Sequence, residues 1–261
     1  MRLTDMADEL YAAPACSALP GGVRVATARH DGVTVTRVEI AREGLERPRG
    51  RYVTLEVPRV SVLDERDSGV IEQAAAELRA LLPPEGPVLV LGVGNRRVTA
   101  DALGPRTVQK VFVTMGPRTV PVQGIRPVAA LAPGVSGDTG LTLRQLAAAM
   151  VDAVRPAALI CVDSLCSAEA ARLGRTIQFS DTGLHPADAR HARHLDAAAL
   201  GVPVIAAGIP TLMDADEGAD LVLTPRALDS VIAHGSALLA GILNRALQPR
   251  LSVAQLCWLT G

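Results

Sequence analysis

P-V-L-V-L-G-V (87–93) is an apolar run without alternation, closed by G-V-G-N (92–95). A strand that reads this way is buried on both faces, which is the condition of a sheet covered by helices on each side. Upstream, Ile71, Ala74, Ala75, Leu78, Leu81 and Leu82 keep helical spacing until Pro83 and Pro84 stop the helix. Downstream, a helical pattern is expected over 102–113 and a short apolar strand over 126–131. Thr142 and Gln145 form a capping box for a helix with Leu143, Leu146, Ala147, Met150, Val151 and Val154 on one face. Pro156 ends that helix, and A-A-L-I-C-V (157–162) is a second doubly buried strand, which ends at Asp163. Further strands are expected at 52–57, 176–179 and 202–207, and a final helix over 228–247. The apolar tail 251–259 is expected to dock on the body. Alternating strands and helices define an α/β fold: a single domain with a largely parallel or mixed sheet flanked by helices, and an irregular N-terminal section. The direction of the edge strands stays open.

Composition removes several functions. The chain of 261 residues carries 26 basic and 27 acidic side chains, so bulk charge gives no reason to expect nucleic-acid binding. One Trp, two Tyr and two Phe leave no base-stacking platform. Apolar residues at 49% exclude wholesale disorder. Lys110 is the only lysine and follows no Gly-rich loop, which removes a P-loop. Residues 1–10 are charged and do not read as a signal peptide, and the longest apolar stretches, such as Val202 to Met213, are too short to span a bilayer, so a soluble intracellular protein is expected. Of Cys16, Cys161, Cys166 and Cys257, only the middle two are close, and C-x4-C without a partner pair is a poor zinc site.

Chemistry is expected beyond the carboxyl ends of the buried strands. Asp101 follows the first such strand and Asp163 ends the second. Two neighbouring carboxyls there would couple, one holding a proton while the other stays ionised, and such a pair can activate water and protonate a leaving amine. Asn95 and the amides near Gly94 are candidate supporting donors. The competing reading keeps Asp101 as a helix cap and Asp163 as a partner for loop amides. Asp-Thr-Gly occurs at 138–140 and 181–183, but the copies lie too close in the chain to head two protease lobes, and the tripeptide is a good turn. His185, His191 and His194 could ligate a metal or simply enter a solvated helix. Gly92-Val93-Gly94 lacks the third glycine of a dinucleotide loop, because Arg97 stands there.

G-V-G-N-R-R-V-T-A-D-A-L-G-P (92–105) strongly resembles the signature of the germination protease family of endospore-forming bacteria. So do Y-V-T-L-E-V (52–57), R-P-V-A-A-L-A-P-G-V (126–135), V-D-S-L (162–165), T-I-Q-F-S-D-T-G-L-H-P (176–186) and G-V-P-V-I-A-A-G-I-P-T (201–211). The resemblance is collinear over roughly residues 1–225. It implies an endopeptidase, an atypical aspartic protease, that degrades small acid-soluble spore proteins during germination. It carries the family's two catalytic aspartates onto Asp101 and Asp163, and it implies a fold related to hydrogenase-maturation endopeptidases. Asp181 also matches the family; Asp138 does not.

The resemblance implies a zymogen too. Family substrates are cut after Glu in a sequence of the type Thr-Glu, large apolar, Ala, Ser, Glu, large apolar. Thr4-Asp5-Met6-Ala7-Asp8-Glu9-Leu10 is similar. Self-cleavage between Asp5 and Met6 is expected, with residues 1–5 as a short prosegment and 6–261 as the peptidase domain. A homotetramer in the cytoplasm of the forespore or spore core is implied, without cofactor, metal, membrane or direct nucleic-acid partner. The scarcity of aromatics leaves Leu, Val, Ile and Met to build a pocket for the large apolar residue, and the many arginines can pair with the substrate's Glu. Two alternatives are a metal-dependent maturation-type endopeptidase recruiting His185, and an inactive spore structural or regulatory homologue. The first expects a second acid after Asp101, where Ala102 stands.

Overall fold

The computed structural model describes residues 3–12, 19–64, 66–116, 122–185, 194–215 and 221–260. In chain order the elements are α1 (Ala7–Tyr11), β1 (Val23–His30), β2 (Val33–Ile40), β3 (Gly50–Glu56), α2 (Ser68–Leu81), β4 (Val88–Gly92), α3 (Leu103–Val108), β5 (Val128–Leu131) and α4 (Ser136–Thr139). There follow α5 (Leu143–Val154), β6 (Ala158–Cys166), β7 (Thr176–Ser180), α6 (Ala197–Leu200), β8 (Val204–Asp214), β9 (Val222–Leu223), α7 (Leu228–Leu247) and α8 (Val253–Thr260).

One mixed sheet runs through the molecule in the order β1-β2-β3-β7-β8-β6-β4-β5, with β9 paired to β8. β5, β4, β6 and β8 are parallel; the other pairings are antiparallel. The two doubly buried strands are central, as their composition requires. Val88 and Val90 of β4, with Ile160 and Val162 of β6, face a core shared with α2 and α7. The intervening Leu89, Leu91, Leu159 and Cys161 face the opposite side, where Ala147 of α5 covers them. This alternation explains why β4, and β6 as far as Val162, carry no polar residue. α7 is apolar and long enough to cross a membrane, but its residues are mostly buried inside the body, so the packed core accounts for its composition.

Local signals explain several boundaries. Thr142 Oγ1 accepts the Gln145 N–H at 3.2 Å while Gln145 Oε1 accepts the Thr142 N–H at 2.9 Å, completing the capping box. Four expectations are corrected. The N-terminal section is not irregular: β1 and β2 form a hairpin whose turn residues, Asp31 and Gly32, both have positive φ, the geometry that Asp-Gly favours. α3 stops at Val108 instead of reaching 113. The Phe112 N–H is taken by Asn244 Oδ1 (2.7 Å), and Thr114 and Met115 bond the Val128 carbonyl, so tertiary partners outbid a further helical turn. β8 extends to Asp214, well past 207. β6 likewise continues through Asp163 to Cys166, because β8 supplies hydrogen-bonding partners that far. In the tail, Val253 and Leu256 are buried, whereas Trp258 is 83% exposed and is no part of the core.

Candidate active site

Beyond the carboxyl ends of β4 and β6 the backbone is packed unusually tightly. Gly94 has φ +118°, and a Cβ there would land on the Asp101 carbonyl oxygen. A Cβ on Gly92 would meet the Gly104 carbonyl, and one on Gly104 would meet the carbonyls of Val162 and Val93. The glycines of G-V-G-N-R-R-V-T-A-D-A-L-G-P therefore let the 95–104 turn lie directly on both strand ends. Thr211 Oγ1 bonds the Ala100 carbonyl at 3.1 Å and ties the same turn to β8. Asp101 lies in a short helical turn (Thr99–Asp101), and its Oδ2 accepts the Asn95 N–H at 2.7 Å. Asn95 thus acts through its backbone; its side-chain Oδ1 accepts the Arg97 N–H. Asp163 is 7% exposed, and its Oδ1 accepts the N–H of Ser164 at 2.8 Å.

Asp101 and Asp163 line one cleft of about 190 Å³ together with Asp5, Arg47, Ser164, Gln178 and His185. The fold therefore brings together five of the expected site residues: Asp101, Asp163, His185 and Asp5 in the cleft, with Gly94 in the turn beneath it. Asp181 stands apart. Its carboxylate accepts the Arg51 N–H and Arg51 Nε, both at 2.7 Å, at the end of β7. The other Asp-Thr-Gly copy lies in α4, with Asp138 paired to exposed Arg97 at 3.2 Å. His185 Nε2 is 2.9 Å from the Thr182 carbonyl, which can only accept, so in the neutral ring Nε2 carries the hydrogen. Burial lowers the pKa of His185, and its ring lies 4.9 Å from that of His194. Among the described residues no three His, Cys, Asp or Glu side chains are grouped to hold a metal; His191 lies outside them, as does Cys16. Burial, with Asp5 and Asp214 nearby, pushes the Cys166 thiol up to about 12, so it offers no thiolate to the cleft.

The N-terminal segment enters the same cleft, where Leu3 and Asp5 line it with the two aspartates. The Asp5 N–H donates to the Cys166 carbonyl and the Asp5 carboxylate accepts the Cys166 N–H, both at 2.8 Å. Gln178 Nε2 donates to the Asp5 carbonyl oxygen at 2.9 Å, and its Oε1 accepts the Ala7 N–H at 3.0 Å. One side-chain amide thus brackets the Asp5–Met6 bond. Met6 and Ala7 are fully buried, Asp8 pairs with Arg172 and Thr54, and Glu9 accepts from the Ser167 hydroxyl and the Ala168 N–H. Gln178 and Arg47 escaped the sequence reading. A polar residue inside T-I-Q-F-S was a usable signal for Gln178, since an amide on a buried strand needs partners. No local pattern marks Arg47.

Burial raises the Glu9 pKa, outweighing the hydrogen bonds and Arg172, which lower it. A carboxyl whose folded pKa exceeds its unfolded value opposes folding at neutral pH, and the penalty fades as pH falls toward the ordinary 4.5. Glu9→Gln is therefore expected to melt above wild type at pH 7, with the difference vanishing near pH 4.5. Melting curves across that range check it; a difference that grows on acidification would contradict the sign.

An α/β sheet with a carboxylate-lined cleft at its carboxyl edge, and a stretch of peptide entering that cleft, defines the class: a hydrolytic enzyme of peptide-like substrates is what such a site suits. The germination protease family model matches residues 15–217, and the chain belongs to that family, as a protease. It is similar to a germination protease of Clostridium perfringens (strain 13 / Type A), 32% identical over 85% of this chain and 86% of that protein. Another similar protein is the germination protease of Caldanaerobacter subterraneus subsp. tengcongensis, 40% identical over 74% of this chain and 64% of that protein. Among solved structures, a NiFe hydrogenase maturation protease, HycI, from Thermococcus kodakarensis KOD1 aligns with a TM-score of 0.37 and 16% identity, over 64% of this chain and 98% of that one.

Proposed function

We propose that the chain is an aspartic-type endopeptidase of small acid-soluble spore proteins, acting in the spore core during germination, and that it first cuts its own Asp5–Met6 bond. The observation that carries this reading is the placement of Asp5 in the cleft lined by Asp101 and Asp163, with Gln178 on the Asp5 carbonyl.

In this mechanism one carboxylate takes a proton from water as the water oxygen attacks the scissile carbonyl carbon. The other, protonated, hydrogen-bonds the carbonyl oxygen. As the C–N bond breaks, a carboxyl proton passes to the leaving amine. The Asn95 N–H supports the Asp101 carboxylate and the Ser164 N–H the Asp163 carboxylate, so each acid keeps its orientation toward the cleft. Gln178 Nε2 stands where negative charge grows on the carbonyl oxygen. Its removal in Gln178→Ala is expected to lower kcat by about a hundredfold and also to lower the melting temperature, because the buried Ala7 N–H loses its partner. An unchanged kcat would take Gln178 out of the mechanism.

The test of the function itself is incubation with a peptide containing T-E-F-A-S-E-F, with mass spectrometry of both the peptide and the chain's own N-terminus. Cleavage after the first Glu and a new Met6 terminus are expected. No cleavage of the peptide under conditions that process the chain would overturn the substrate assignment. The homo-oligomer, a tetramer, belongs to the same reading, with exposed Trp258 as an available contact.

A further inference from the structure

Arg47 is buried in the cleft wall with its charge incompletely met. Its side chain is 10% exposed, Nη1 donates to the His185 carbonyl at 3.1 Å, and Nε is buried with no hydrogen-bond partner among the described residues. An arginine in this state is costly unless something else completes its hydrogen bonds. The acid that faces it is Asp5, and Nη1 stops 3.9 Å from Asp5 Oδ1, beyond hydrogen-bond range. Asp5 cannot slide closer. Its main chain is pinned to Cys166 and Gln178, and its other carboxylate oxygen is held by the Cys166 N–H.

We propose that Arg47 is the specificity-determining residue of the cleft, reading the carboxylate of the residue whose carbonyl is attacked, and that its seat is one methylene too long for Asp5 and the right length for glutamate. This rests on the proposed cleavage after residue 5. A glutamate on the same backbone carries its carboxylate roughly 1.3 Å further, given C–C bonds of about 1.5 Å. That closes the gap to a charge-assisted hydrogen bond of about 2.7–2.9 Å. The chain's own segment is thus a weaker occupant than a glutamate substrate. The two sides of its Asp5–Met6 bond are also held differently. Residues from Met6 onward are fixed by full burial and by Arg172, while the side before the cut is held mainly by the Asp5 contacts and a Thr4–Glu9 bond. Hydrolysis adds the water oxygen to the Asp5 carbonyl carbon and a proton to the Met6 nitrogen. The departing piece then vacates the Arg47 seat.

The test compares peptides that differ only before the cut, with Glu, Asp or Gln, against the full chain as wild type, Arg47→Lys and Arg47→Met. Hydrogen bonds to charged groups imply a preference on the order of 10- to 100-fold in kcat/KM. Wild type is expected to favour Glu over both Asp and Gln by that factor. Arg47→Met is expected to lose the Glu preference, cutting the Glu and Gln peptides at similar rates; Arg47→Lys is expected to keep part of it. In the chain itself, Asp5→Glu is expected to speed release of residues 1–5. If wild type cuts Asp as fast as Glu, the inference is overturned whether or not the variants fold. It is also overturned if Arg47→Met keeps the Glu preference, or if it folds but cuts none of the peptides. If wild type cuts no peptide at all, the proposed function fails, and that result is distinct from each of these.

Discussion

Asp101→Asn and Asp163→Asn are each expected to lower kcat/KM on the T-E-F-A-S-E-F peptide by about a thousandfold or more, and the double variant to lose little beyond the worse single one. A carboxylate pair that shares a proton acts as a unit, so removing either member removes general acid–base chemistry as a whole. Folding should be nearly untouched. An asparagine oxygen can still accept the Asn95 N–H at position 101, or the Ser164 N–H at position 163. The variants should therefore melt within a few degrees of wild type and retain residues 1–5. Near-normal cleavage by either variant, measured by steady-state kinetics, would sink the paired-carboxylate mechanism. It would leave the fold and family untouched.

Gly94→Ala is the second large effect. It forces a side chain into φ +118° and sets its Cβ on the Asp101 carbonyl oxygen, a backbone atom that cannot yield as a side-chain tip would, and 2.9 Å from the Asp101 carboxylate itself. Strain of this kind costs about 3 kcal/mol, which corresponds to a fall in melting temperature of roughly 6–10 °C for a chain of this size. Activity is expected to fall further than stability, by at least about a hundredfold, because the displaced group is the one that carries Asp101 and small misplacements of a reacting group are expensive. Gly137→Ala is the control. Nothing lies within 4 Å of the Cβ it would add, and it should change neither quantity. Wild-type melting and activity in Gly94→Ala would show that the 95–104 turn does not depend on this close approach.

The outer strands show what pattern reading can overlook. β1 and β2 alternate and are joined at Asp31-Gly32, so the hairpin had a local signal; what obscured it was polar facing residues on strands only half covered. The length of α3 had no such signal. Its end is set by Asn244 and Val128, far along the chain, which compete for the same backbone groups. The same holds for the site. Asp101 and Asp163 were legible as cleft residues because each comes after an apolar run, 88–93 and 158–162, that has no place for a carboxylate, although β6 itself continues past Asp163. Arg47 and Gln178 were not, since they reach the cleft only through the pairing of β3 with β7 and of β7 with β8.

Local composition is enough to require an α/β body with two doubly buried central strands and a carboxylate after the apolar run of each. Periodicity and capping are properties of a few neighbouring residues, and they survive in any tertiary setting that buries the same faces. Which strands neighbour one another, where β6 stops, and that the chain's first residues enter the cleft with Asp5 short of Arg47 all depend on contacts between segments separated in the chain, by 42 residues for Asp5 and Arg47 and by 161 for Asp5 and Cys166. Those contacts are chosen by the free energy of the whole packed body, and no stretch of the sequence encodes them alone.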